Sequence, residues 1–516
     1  MTANASDPAR KVTIVGAGPT GLMLAGELAL AGVECTVVER RSQRSPESRA
    51  LGLHARTLEL LDMRGMAEEF LAAGLPLRSF PMGTRRADID LGRTGSRFPY
   101  FLILPQGTTE ELLENRARAL GVHILRDTVV EDVEQDTDGV TLTIRDATGS
   151  RTERSAYVVG CDGKYSAVRE ALGVPFPGVP NTDSVLLADA YLDGPSEPRA
   201  LSRFSRHGML IIFPYGGGRY RIAAADHSAA GLSTDQPATL DDVRAVLIRF
   251  LGTDRGIRDP YWLTRYRSEQ RQAERYRVGR VLLAGDAAHA HSPIGGQGLN
   301  TGLQDAMNLG WKLAAEINGW APVGLLDSYH GERHPIGQQV VQGTRGLLRL
   351  SLARTTKDRL LRALVFSTVL PLPRVQRRLA KRLSGLAVRY PAQETNAHPL
   401  TGTRVPDVPL VGDDGGERRC AELLREGQPL LVVASDTPGL QARAQAYSPA
   451  VVRVAREGGP HGDWTWPRVS LVRPDGYLWW ATDEPDTRAR LTAVQNALTT
   501  HCSATEDTVK IPGRNG

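Results

Sequence analysis

A glycine-rich turn near the start of the chain joins a short strand to an apolar helix. The run KVTIV at Lys11–Val15 predicts the strand, and Gly16-Ala17-Gly18-Pro19-Thr20-Gly21 precedes the helical stretch LMLAGELALAG; a second strand follows at Glu34–Glu39. In such a βαβ unit the glycines allow a tight turn, the approach of a pyrophosphate and close helix packing. Glu39 ends the second strand, where an acid accepts from a ribose hydroxyl. The unit predicts a bound dinucleotide and leaves FAD and NAD open.

Three further motifs follow apolar strands or precede a helix. Gly160-Cys161-Asp162-Gly163 and Gly285-Asp286 each follow an apolar run. An aspartate at the end of a strand can hold a sugar-like hydroxyl chain, although a turn residue or a helix cap has the same sequence signature. The segment Ser292-Pro293-Ile294-Gly295-Gly296-Gln297-Gly298-Leu299-Asn300 precedes a long predicted helix. The helix dipole there favours negative charge, such as that of a reduced flavin, and a plain glycine-rich helix start is the alternative.

In this order the motifs resemble those of the single-component FAD-dependent aromatic hydroxylases, the para-hydroxybenzoate hydroxylase-like or group A monooxygenases. Ser48–Thr57 and Leu326–Pro335 look like the bacterial subgroup that oxidises aromatic polyketides, with the angucyclinone and anthracycline hydroxylases and the rifampicin monooxygenases. The resemblance covers most of the chain. It implies an α/β and α+β fold: a Rossmann-like FAD-binding domain, an inserted antiparallel-sheet substrate domain and a C-terminal thioredoxin-like domain.

The resemblance also implies a set of cofactor-binding residues, carried over position by position. They are Gly16, Gly18, Gly21, Glu39, Arg40, Arg49, Gln106, Asp162, Gly163, Asp286, Pro293, Gly296, Gly298, Leu299 and Asn300. The glycines of the first motif hold the FAD pyrophosphate, and Glu39 holds the adenosine ribose. Gln106 and Asp286 contact the ribityl chain, and the loop from Pro293 lies against the isoalloxazine ring. Arg49, beside the flavin, and Pro293 are the predicted catalytic residues, and no general base is identified.

The length of 516 residues predicts three or four domains at about 150 residues each. Residues 1–180 are expected to form the first part of the FAD-binding domain, with about 79–101 as an optional part of the substrate domain. Residues 181–276, with short alternating runs, are expected to form the substrate-binding sheet. Residues 277–395 complete the FAD-binding domain with a helical linker, and 396–516 form the thioredoxin-like domain. That domain has no CxxC pair, so thiol redox chemistry is not expected.

Composition excludes several other classes of protein. The 63 basic and 58 acidic residues leave a net charge of +5. Attraction of an anionic cofactor and ordinary surface composition explain this small excess equally well, and it does not suggest nucleic-acid binding. Four cysteines without a CxxC pair provide neither a disulfide framework nor a zinc site. His289 and His291 lack a third ligand, so no metal is predicted. Met1–Lys11 lacks the features of a signal peptide, so a cytoplasmic protein without membrane attachment is expected.

These observations predict an enzyme that uses NADPH or NADH, O₂ and FAD to hydroxylate a phenol ring of a large aromatic polyketide in antibiotic biosynthesis. The resemblance implies oxygen transfer through a C4a-hydroperoxyflavin. Baeyer–Villiger oxygenation and oxidative inactivation of an aromatic antibiotic are alternatives within the family. A nicotinamide dehydrogenase and a non-catalytic flavin-binding protein are alternatives of other classes. A homodimer is a further expectation.

Overall fold

A computed structural model describes most of the chain. It covers residues 10–45, 49–84, 86–193, 199–229, 236–392, 394–412, 414–447, 450–454 and 464–502. Parts of the sequence predictions lie outside these ranges: residues 1–9, Ser48 of the polyketide-hydroxylase stretch, residues 194–198 and 230–235 of the expected substrate sheet, and residues 413, 448–449, 455–463 and 503–516 of the expected thioredoxin-like domain.

The N-terminal unit is built on a six-stranded sheet. Its elements are β1 (Val12–Val15), α1 (Pro19–Leu30), β2 (Cys35–Val38), β3 (Gly52–Leu53), α2 (Ala55–Asp62), α3 (Ala67–Ala73), β4 (Leu75–Leu77), β5 (Ser79–Phe80), β6 (Ile89–Asp90), β7 (Phe101–Ile103), α4 (Gln106–Ala119), β8 (His123–Leu125), β9 (Val129–Gln135), β10 (Val140–Asp146), β11 (Gly149–Ser155), β12 (Tyr157–Gly160) and α5 (Ala167–Ala171). β1 pairs in parallel with both β2 and β12, and every residue of β1 is buried. Parallel sheets covered on both faces have continuous apolar strands of this kind.

The central unit is an antiparallel sheet with one helix. Its elements are β13 (Gly178–Tyr191), β14 (Leu201–Ser205), β15 (Gly208–Gly216), β16 (Arg219–Asp226), α6 (Leu240–Leu251) and β17 (Arg258–Gln272). The strand order is β14-β15-β16-β13-β17. One face carries Leu210, Ile222 and Ala188 and packs on Val243 and Leu247 of α6. Because successive side chains of a strand alternate between faces, the residues between these positions point the other way.

The chain then returns to the N-terminal sheet and continues into long helices. The elements are β18 (Arg277–Val278), β19 (Val281–Leu283), β20 (His289–Ala290), α7 (Gln297–Ile317), α8 (Ser328–Leu352), α9 (Thr356–Leu364) and α10 (Pro373–Leu383). β19 pairs with β12 in the N-terminal sheet, whose order is β18-β19-β12-β1-β2-β8, and β20 pairs with β17 of the central sheet. A Cβ added at Gly302 of α7 would lie 2.3 Å from Oγ1 of Thr20 in α1, so glycine permits this close helix crossing.

Several apolar side chains between Ser79 and Phe101 pack against the central sheet. Phe80, Ile89 and Phe101 share one apolar cluster with Ile211 and Phe213 of β15. The assignment of the segment to the substrate domain stays a prediction.

The C-terminal unit has a mixed sheet of the thioredoxin-like kind. Its elements are β21 (Pro409–Val411), β22 (Glu417–Arg419), α11 (Cys420–Leu423), β23 (Leu430–Val433), α12 (Leu440–Ala444), β24 (Ala450–Val454), β25 (Val469–Val472), β26 (Leu478–Thr482) and α13 (Thr487–His501). β23 and β24 are parallel, and β25 and β26 are antiparallel. Burial raises the pKa of the Cys420 thiol to about 12, so it stays protonated at neutral pH.

A buried ionic seam joins the C-terminal unit to the helices of the N-terminal unit. Arg473 donates to both carboxylate oxygens of Glu332 in α8, at 2.8 and 2.9 Å, and to both of Asp475, at 2.9 and 2.7 Å. Lys312 of α7 reaches Glu332 at 2.8 Å, and Nη2 of Arg56 in α2 donates to the carbonyl oxygen of Asp475 at 2.6 Å. Burial would raise the pKa of Glu332, but Arg473 and Lys312 lower it to about 2.

Candidate active site

One large cleft lies between the N-terminal unit and the central sheet, with a volume of about 540 Å³. Most of the residues that the sequence predicted for the site line it. They are Gly16, Gly18, Glu39, Arg40, Arg49, Gln106, Asp162, Gly163, Asp286, Pro293, Gly296, Gly298 and Leu299. Segments that are far apart in the sequence thus meet at one cavity.

The first glycine motif opens the backbone of the α1 N-terminus onto the cleft. Gly16 has φ +107°, and a Cβ there would lie 2.5 Å from the carbonyl oxygen of Cys161. A Cβ at Gly21 would lie 2.0 Å from the carbonyl oxygen of Gly16, so Gly21 allows helix–strand packing and does not line the cleft. A Cβ at Gly18 would meet no protein atom within 4 Å. The space beside Gly18 is therefore available to a ligand.

Glu39 holds the glycine turn while facing the cleft. Its Oε2 accepts from the backbone N–H of Ala17 at 2.8 Å, and its Oε1 accepts from that of Arg41 at 2.9 Å. A carboxylate has about four acceptor positions, so capacity remains for ribose hydroxyls. Arg40 lines the same end of the cleft.

The cleft is also lined by Gln106 and Asp286, which were predicted for the ribityl chain, and by Asp162, which was predicted to bind the cofactor. Oε1 of Gln106 accepts from the backbone N–H of Ala50 at 3.1 Å, and its Nε2 donates to Glu110 at 2.8 Å. Asp162 accepts from the backbone N–H of Val168 at 3.2 Å, and burial raises the pKa of its carboxyl. Asp286 lies in a single turn directly after β19.

The N-terminus of α7 forms the next wall. Gly295 and Gly296 have φ +85° and +62°, left-handed values that turn the chain into the helix. No side chain caps this helix, and Gly296, Gly298 and Leu299 all line the cleft. The N–H groups of the first turn have no acceptor within the helix, and the dipole is positive here. This wall favours a negatively charged ligand.

A neutral histidine and an asparagine fix that wall from behind. His54 donates from Nε2 to the carbonyl oxygen of Gly295 at 2.8 Å, and burial lowers its pKa to about 4. Asn300 Oδ1 accepts from the His54 backbone N–H at 2.8 Å and from Thr57 Oγ1 at 2.7 Å, and its Nδ2 donates to the carbonyl oxygens of Gly52 and Gly296. The side chain of Asn300 is thus engaged within the protein and does not line the cleft.

The central sheet supplies the opposite wall through strand register. Met209 pairs with Ala225, Ile211 with Ala223 and Phe213 with Arg221; Leu187 pairs with Ala223, Asp189 with Arg221, and Val185 with Tyr266. Paired residues share a face, so these positions form one surface. Val185, Leu187, Met209, Ile211, Phe213, Arg221, Ala223 and Tyr266 all line the cleft. The small Ala223 between larger neighbours leaves room for a flat molecule.

One ion pair interrupts this apolar wall. The Arg221 guanidinium donates to Asp189 through Nε, and through Nη2 at 2.8 Å. Its Nη1 donates to the backbone carbonyl oxygen of Arg49 at 3.1 Å, so the sheet holds the loop that carries Arg49. The guanidinium also lies over the rings of Trp262 and Tyr215, at 5.3 and 5.6 Å from their centroids.

Comparisons with known proteins agree with this arrangement. A family model described as the FAD binding domain matches residues 9–344, and one described as aromatic-ring hydroxylase, C-terminal, matches residues 398–503. The chain belongs to the FAD-dependent aromatic-ring hydroxylases. The 12-dehydrotetracycline 5-monooxygenase/anhydrotetracycline 6-monooxygenase of Streptomyces rimosus subsp. rimosus is 43% identical over 92% of this chain and 96% of that protein. A rifampicin monooxygenase of Streptomyces venezuelae is 39% identical over 95% and 99%, respectively.

A solved structure has the same fold as this hydroxylase. OxyS anhydrotetracycline hydroxylase from Streptomyces rimosus matches with a TM-score of 0.84 at 42% identity, over 96% of this chain and 99% of that one. The predicted family, the three-part fold and the assignment as an FAD-dependent monooxygenase are confirmed.

The residues present fit FAD. The helices α1 and α7 both begin at the cleft, and neither N-terminus has a side-chain cap. One uncapped terminus suits the pyrophosphate, and the other suits the flavin ring when it carries negative charge. Glu39 at the α1 end and Asp286 between the two termini suit the hydroxyl groups of the cofactor.

The part of this hydroxylase that the structure describes contains no cluster of three potential metal-ligating side chains. Nε2 of His289 is 2.6 Å from Oδ2 of Asp305, whose Oδ1 accepts from Nε of Arg333, so this histidine belongs to a buried ion-pair cluster. Among the same described residues, no helix combines the length and apolar composition that a membrane crossing needs.

Sequence reasoning missed the polar residues of the substrate wall, Arg221, Asp189 and Tyr266, and the histidine His54. Met209 and Phe213 of β15 also line the cleft. A charged residue within the alternating strand Arg219–Asp226 was the available signal, because a buried arginine needs a partner on a neighbouring strand.

Proposed function

We propose that this enzyme hydroxylates a phenolic ring of a large, flat aromatic polyketide in antibiotic biosynthesis, with NADPH or NADH as the electron donor. The sheet face opposite the α7 N-terminus carries the proposal, because it is broad, apolar and hollowed at Ala223. A stack of fused rings can lie flat on such a face while its edge points to the flavin. The close relatives named for tetracycline-type substrates support the same class of substrate.

The protein's contribution is binding, orientation and exclusion of water. When bound, FAD supplies the redox chemistry that splits dioxygen, with one atom entering the product and the other leaving as water. The glycine turn at Gly16 and Gly18 would hold its pyrophosphate and Glu39 its adenosine ribose, while Gln106 and Asp286 would hold its ribityl chain. The α7 N-terminus stabilises negative charge on the ring, since its free N–H groups are already aligned.

Arg49 and Pro293 are proposed as the residues closest to the reacting atoms. Both line the cleft, and Pro293 lies three residues before the N-cap of α7. The carbonyl oxygen of Arg49 is held by Arg221, so the arginine stands at the boundary between the two walls. The positive charge of Arg49 there favours reduction of the flavin and an anionic substrate.

The test uses the purified full chain. We expect a yellow protein that releases FAD on heating and oxidises NADPH several-fold faster when anhydrotetracycline or a related polycyclic phenol is added. With ¹⁸O₂ the product gains one labelled oxygen atom. Protein without flavin, or NADPH oxidation that no aromatic compound stimulates and that yields no labelled product, would contradict the proposal.

Oxidative inactivation of an aromatic antibiotic is the second candidate, favoured by the 39% identity to a rifampicin monooxygenase. Baeyer–Villiger insertion is a further alternative for the same cleft. Each adds one oxygen atom, so product NMR separates them: a new ring hydroxyl supports hydroxylation, and a new ester or lactone supports insertion. Loss of antibacterial potency on conversion would identify an inactivating enzyme.

The proposed partners are a small aromatic substrate and dioxygen, without nucleic acid or membrane. A homodimer stays a prediction, which light scattering of the holoenzyme tests. A cytoplasmic location also stays a prediction, tested by fractionation of the producing cells.

A further inference from the structure

Residues 354–382, the basic segment, carry a surface that the fold does not use. The segment follows α8 and consists of α9, one turn of π-helix at Val365–Val369 and most of α10. It contains nine basic residues and one acid, Asp358. The Asp358 carboxylate accepts from the hydroxyl and from the backbone N–H of Thr355, and so closes the start of α9. The segment is therefore strongly cationic, and its single acid is engaged in a helix cap.

The apolar side chains of α9 point away from the core of the protein. Leu360, Leu361 and Leu364 are 68%, 52% and 57% exposed. Arg362, in contrast, is buried and donates to two backbone carbonyl oxygens. A surface helix of a globular protein normally turns its apolar side chains inward and its charged ones outward. In α9 this arrangement is inverted, so its leucines do not contribute to the core.

These leucines belong to a larger apolar surface, the aliphatic patch. Of the ten large apolar side chains that are exposed in the described part of the chain, five lie within this one stretch. They are Leu360, Leu361, Leu364, Val369 and Leu372. Contiguous exposed apolar surface of this kind marks a site where a protein meets a partner or a membrane.

A row of cations on α10 adjoins the aliphatic patch, and its first member lies two residues after Leu372. The members of this cation row are all exposed: Arg374, Arg377, Arg378, Lys381 and Arg382. The first four recur at the spacing of one helical face. Gln376 faces inward instead and donates to the carbonyl oxygens of Asp88 and Leu370, which fixes the helix. Among the residues that the structure describes, no member of the cation row forms an ion pair.

The charge and the side-chain types of this surface together favour one kind of occupant. Leucines beside a row of lysines and arginines are typical of helices that lie in the interface of an anionic membrane. A second copy of this chain suits the surface less well, because it would bring two cation rows together. An acidic protein also suits it less well, because binding hot spots are rich in aromatic side chains. The one aromatic residue of the basic segment, Phe366, is buried.

We propose that the aliphatic patch and the cation row attach this enzyme reversibly to the surface of an anionic membrane. Helices of nine and eleven residues are too short to cross a bilayer, so α9 and α10 lie on its surface. The reaction proposed above needs no membrane. The inference therefore goes beyond that function, and it replaces the expectation of a chain without membrane attachment.

The attached face lies next to the substrate wall of the cleft. The ring of Phe366 is 5.6 Å from that of Phe204, and Phe366 shares an apolar cluster with Ile211 and Phe213, which line the cleft. Large apolar aromatic compounds partition out of water into lipid. Attachment through the basic segment thus places the cleft beside the phase in which such compounds accumulate.

The test measures binding of the purified holoenzyme to lipid vesicles by sedimentation, without NADPH. Vesicles of phosphatidylcholine with about one third phosphatidylglycerol are compared with vesicles of phosphatidylcholine alone. We expect binding at least about hundredfold tighter to the anionic vesicles, and loss of most of that preference when the salt is raised from about 0.1 M to about 1 M. Holoenzyme that does not bind the anionic vesicles, or that binds both kinds equally, overturns the proposal.

Two variants separate the contribution of charge from that of apolar contact. Arg377→Gln/Arg378→Gln/Lys381→Gln should weaken binding to the anionic vesicles at least about tenfold. Leu360→Ser/Leu364→Ser should also weaken this binding at least about tenfold, because the leucines no longer enter the acyl boundary. Both variants should retain the flavin content and thermal unfolding of the wild type, since all five side chains are exposed. A variant that folds normally and binds as the wild type does overturns the proposal.

Matched variants control for net charge and for loss of exposed apolar surface. The charge control, in the C-terminal unit, removes three exposed arginines: Arg443→Gln/Arg453→Gln/Arg488→Gln. The apolar control removes two exposed aliphatic side chains outside the basic segment: Ile248→Ser/Val323→Ser. Both controls should bind the anionic vesicles as the wild type does. A control that loses as much affinity as its counterpart overturns the proposal, since the basic segment then has no special role.

Light scattering distinguishes a second copy as the occupant. Holoenzyme that does not bind vesicles and forms a dimer that Leu360→Ser/Leu364→Ser dissociates overturns membrane attachment. The vesicle assay needs no turnover, so attachment and hydroxylation fail separately. Enzyme that incorporates ¹⁸O without binding vesicles retains the proposed function and loses the attachment. Enzyme that binds anionic vesicles and never incorporates oxygen retains the attachment and loses the function.

Discussion

Replacing the ion pair of Arg221 and Asp189 separates two consequences of one contact, stability and the placement of Arg49. The two side chains face each other across β16 and β13 and are 3% and 12% exposed, so both are largely out of water. Arg221→Leu leaves the Asp189 carboxylate uncompensated on an apolar wall, and we expect a loss of about 3–5 kcal/mol in the free energy of unfolding. The double variant Arg221→Leu/Asp189→Leu places two apolar residues opposite each other and should regain most of that loss.

Activity should behave differently from stability. Both variants lack the guanidinium that donates to the carbonyl oxygen of Arg49, so we expect kcat to fall about tenfold in the double variant even where stability recovers. Denaturant unfolding of the holoenzyme gives the first quantity, and substrate-stimulated NADPH oxidation gives the second. A double variant that regains full kcat would refute the positioning role of Arg221. A single variant as stable as the wild type would refute the argument from burial.

Three further predictions follow from other parts of the chain. Gly18→Ala should fold normally and raise the Kd for FAD at least about tenfold, because its methyl group points into open space in the cleft; flavin titration measures this Kd. Gly16→Ala should instead destabilise the fold, because its methyl group would contact the Cys161 carbonyl oxygen, and calorimetry measures that loss of stability. Ala223→Leu should raise KM for four-ring phenols and leave that of single-ring phenols unchanged, as steady-state kinetics would show. Folding lowers the pKa of Glu332 from 4.5 to about 2, so the stabilisation from its ionised form is present above pH 4.5 and is lost towards pH 2. As the pH falls through that range, the free energy of unfolding of the wild type should therefore drop by on the order of 3 kcal/mol more than that of Glu332→Gln, as denaturant unfolding at each pH would show.

The parts of the fold that follow local rules could be predicted from the sequence. The βαβ unit at Lys11–Glu39 and the glycine-rich start of α7 depend on steric freedom and helix geometry, which short motifs carry directly. The contact of Asn300 with the cofactor stays a prediction; its side chain makes three hydrogen bonds to residues 52–57 and a fourth to the carbonyl oxygen of Gly296. The motif identifies the position, and the partners of the side chain depend on the loop packed behind it.

The substrate wall could not be predicted, because it depends on pairing between strands distant in sequence. Alternation within β15 and β16 showed that one face is apolar without showing which face meets the flavin. Only the register that sets Arg221 beside Asp189 and Val185 beside Tyr266 brings the polar groups to the cleft. The ionic seam had no sequence signal either, since Glu332 and Arg473 lie on different units and are 141 residues apart in the sequence.

The seam at Arg473 also limits how such hydroxylases can be recombined. A chimera that exchanges only the C-terminal unit would place a foreign loop against Glu332, Lys312 and Arg56, where each unmatched charge stays buried. When the crossover lies in the linker before β21, the seam residues on both sides of that linker must therefore come from the same parent. Libraries built in this way can vary the sheet that holds the substrate while keeping the two ends of the molecule compatible.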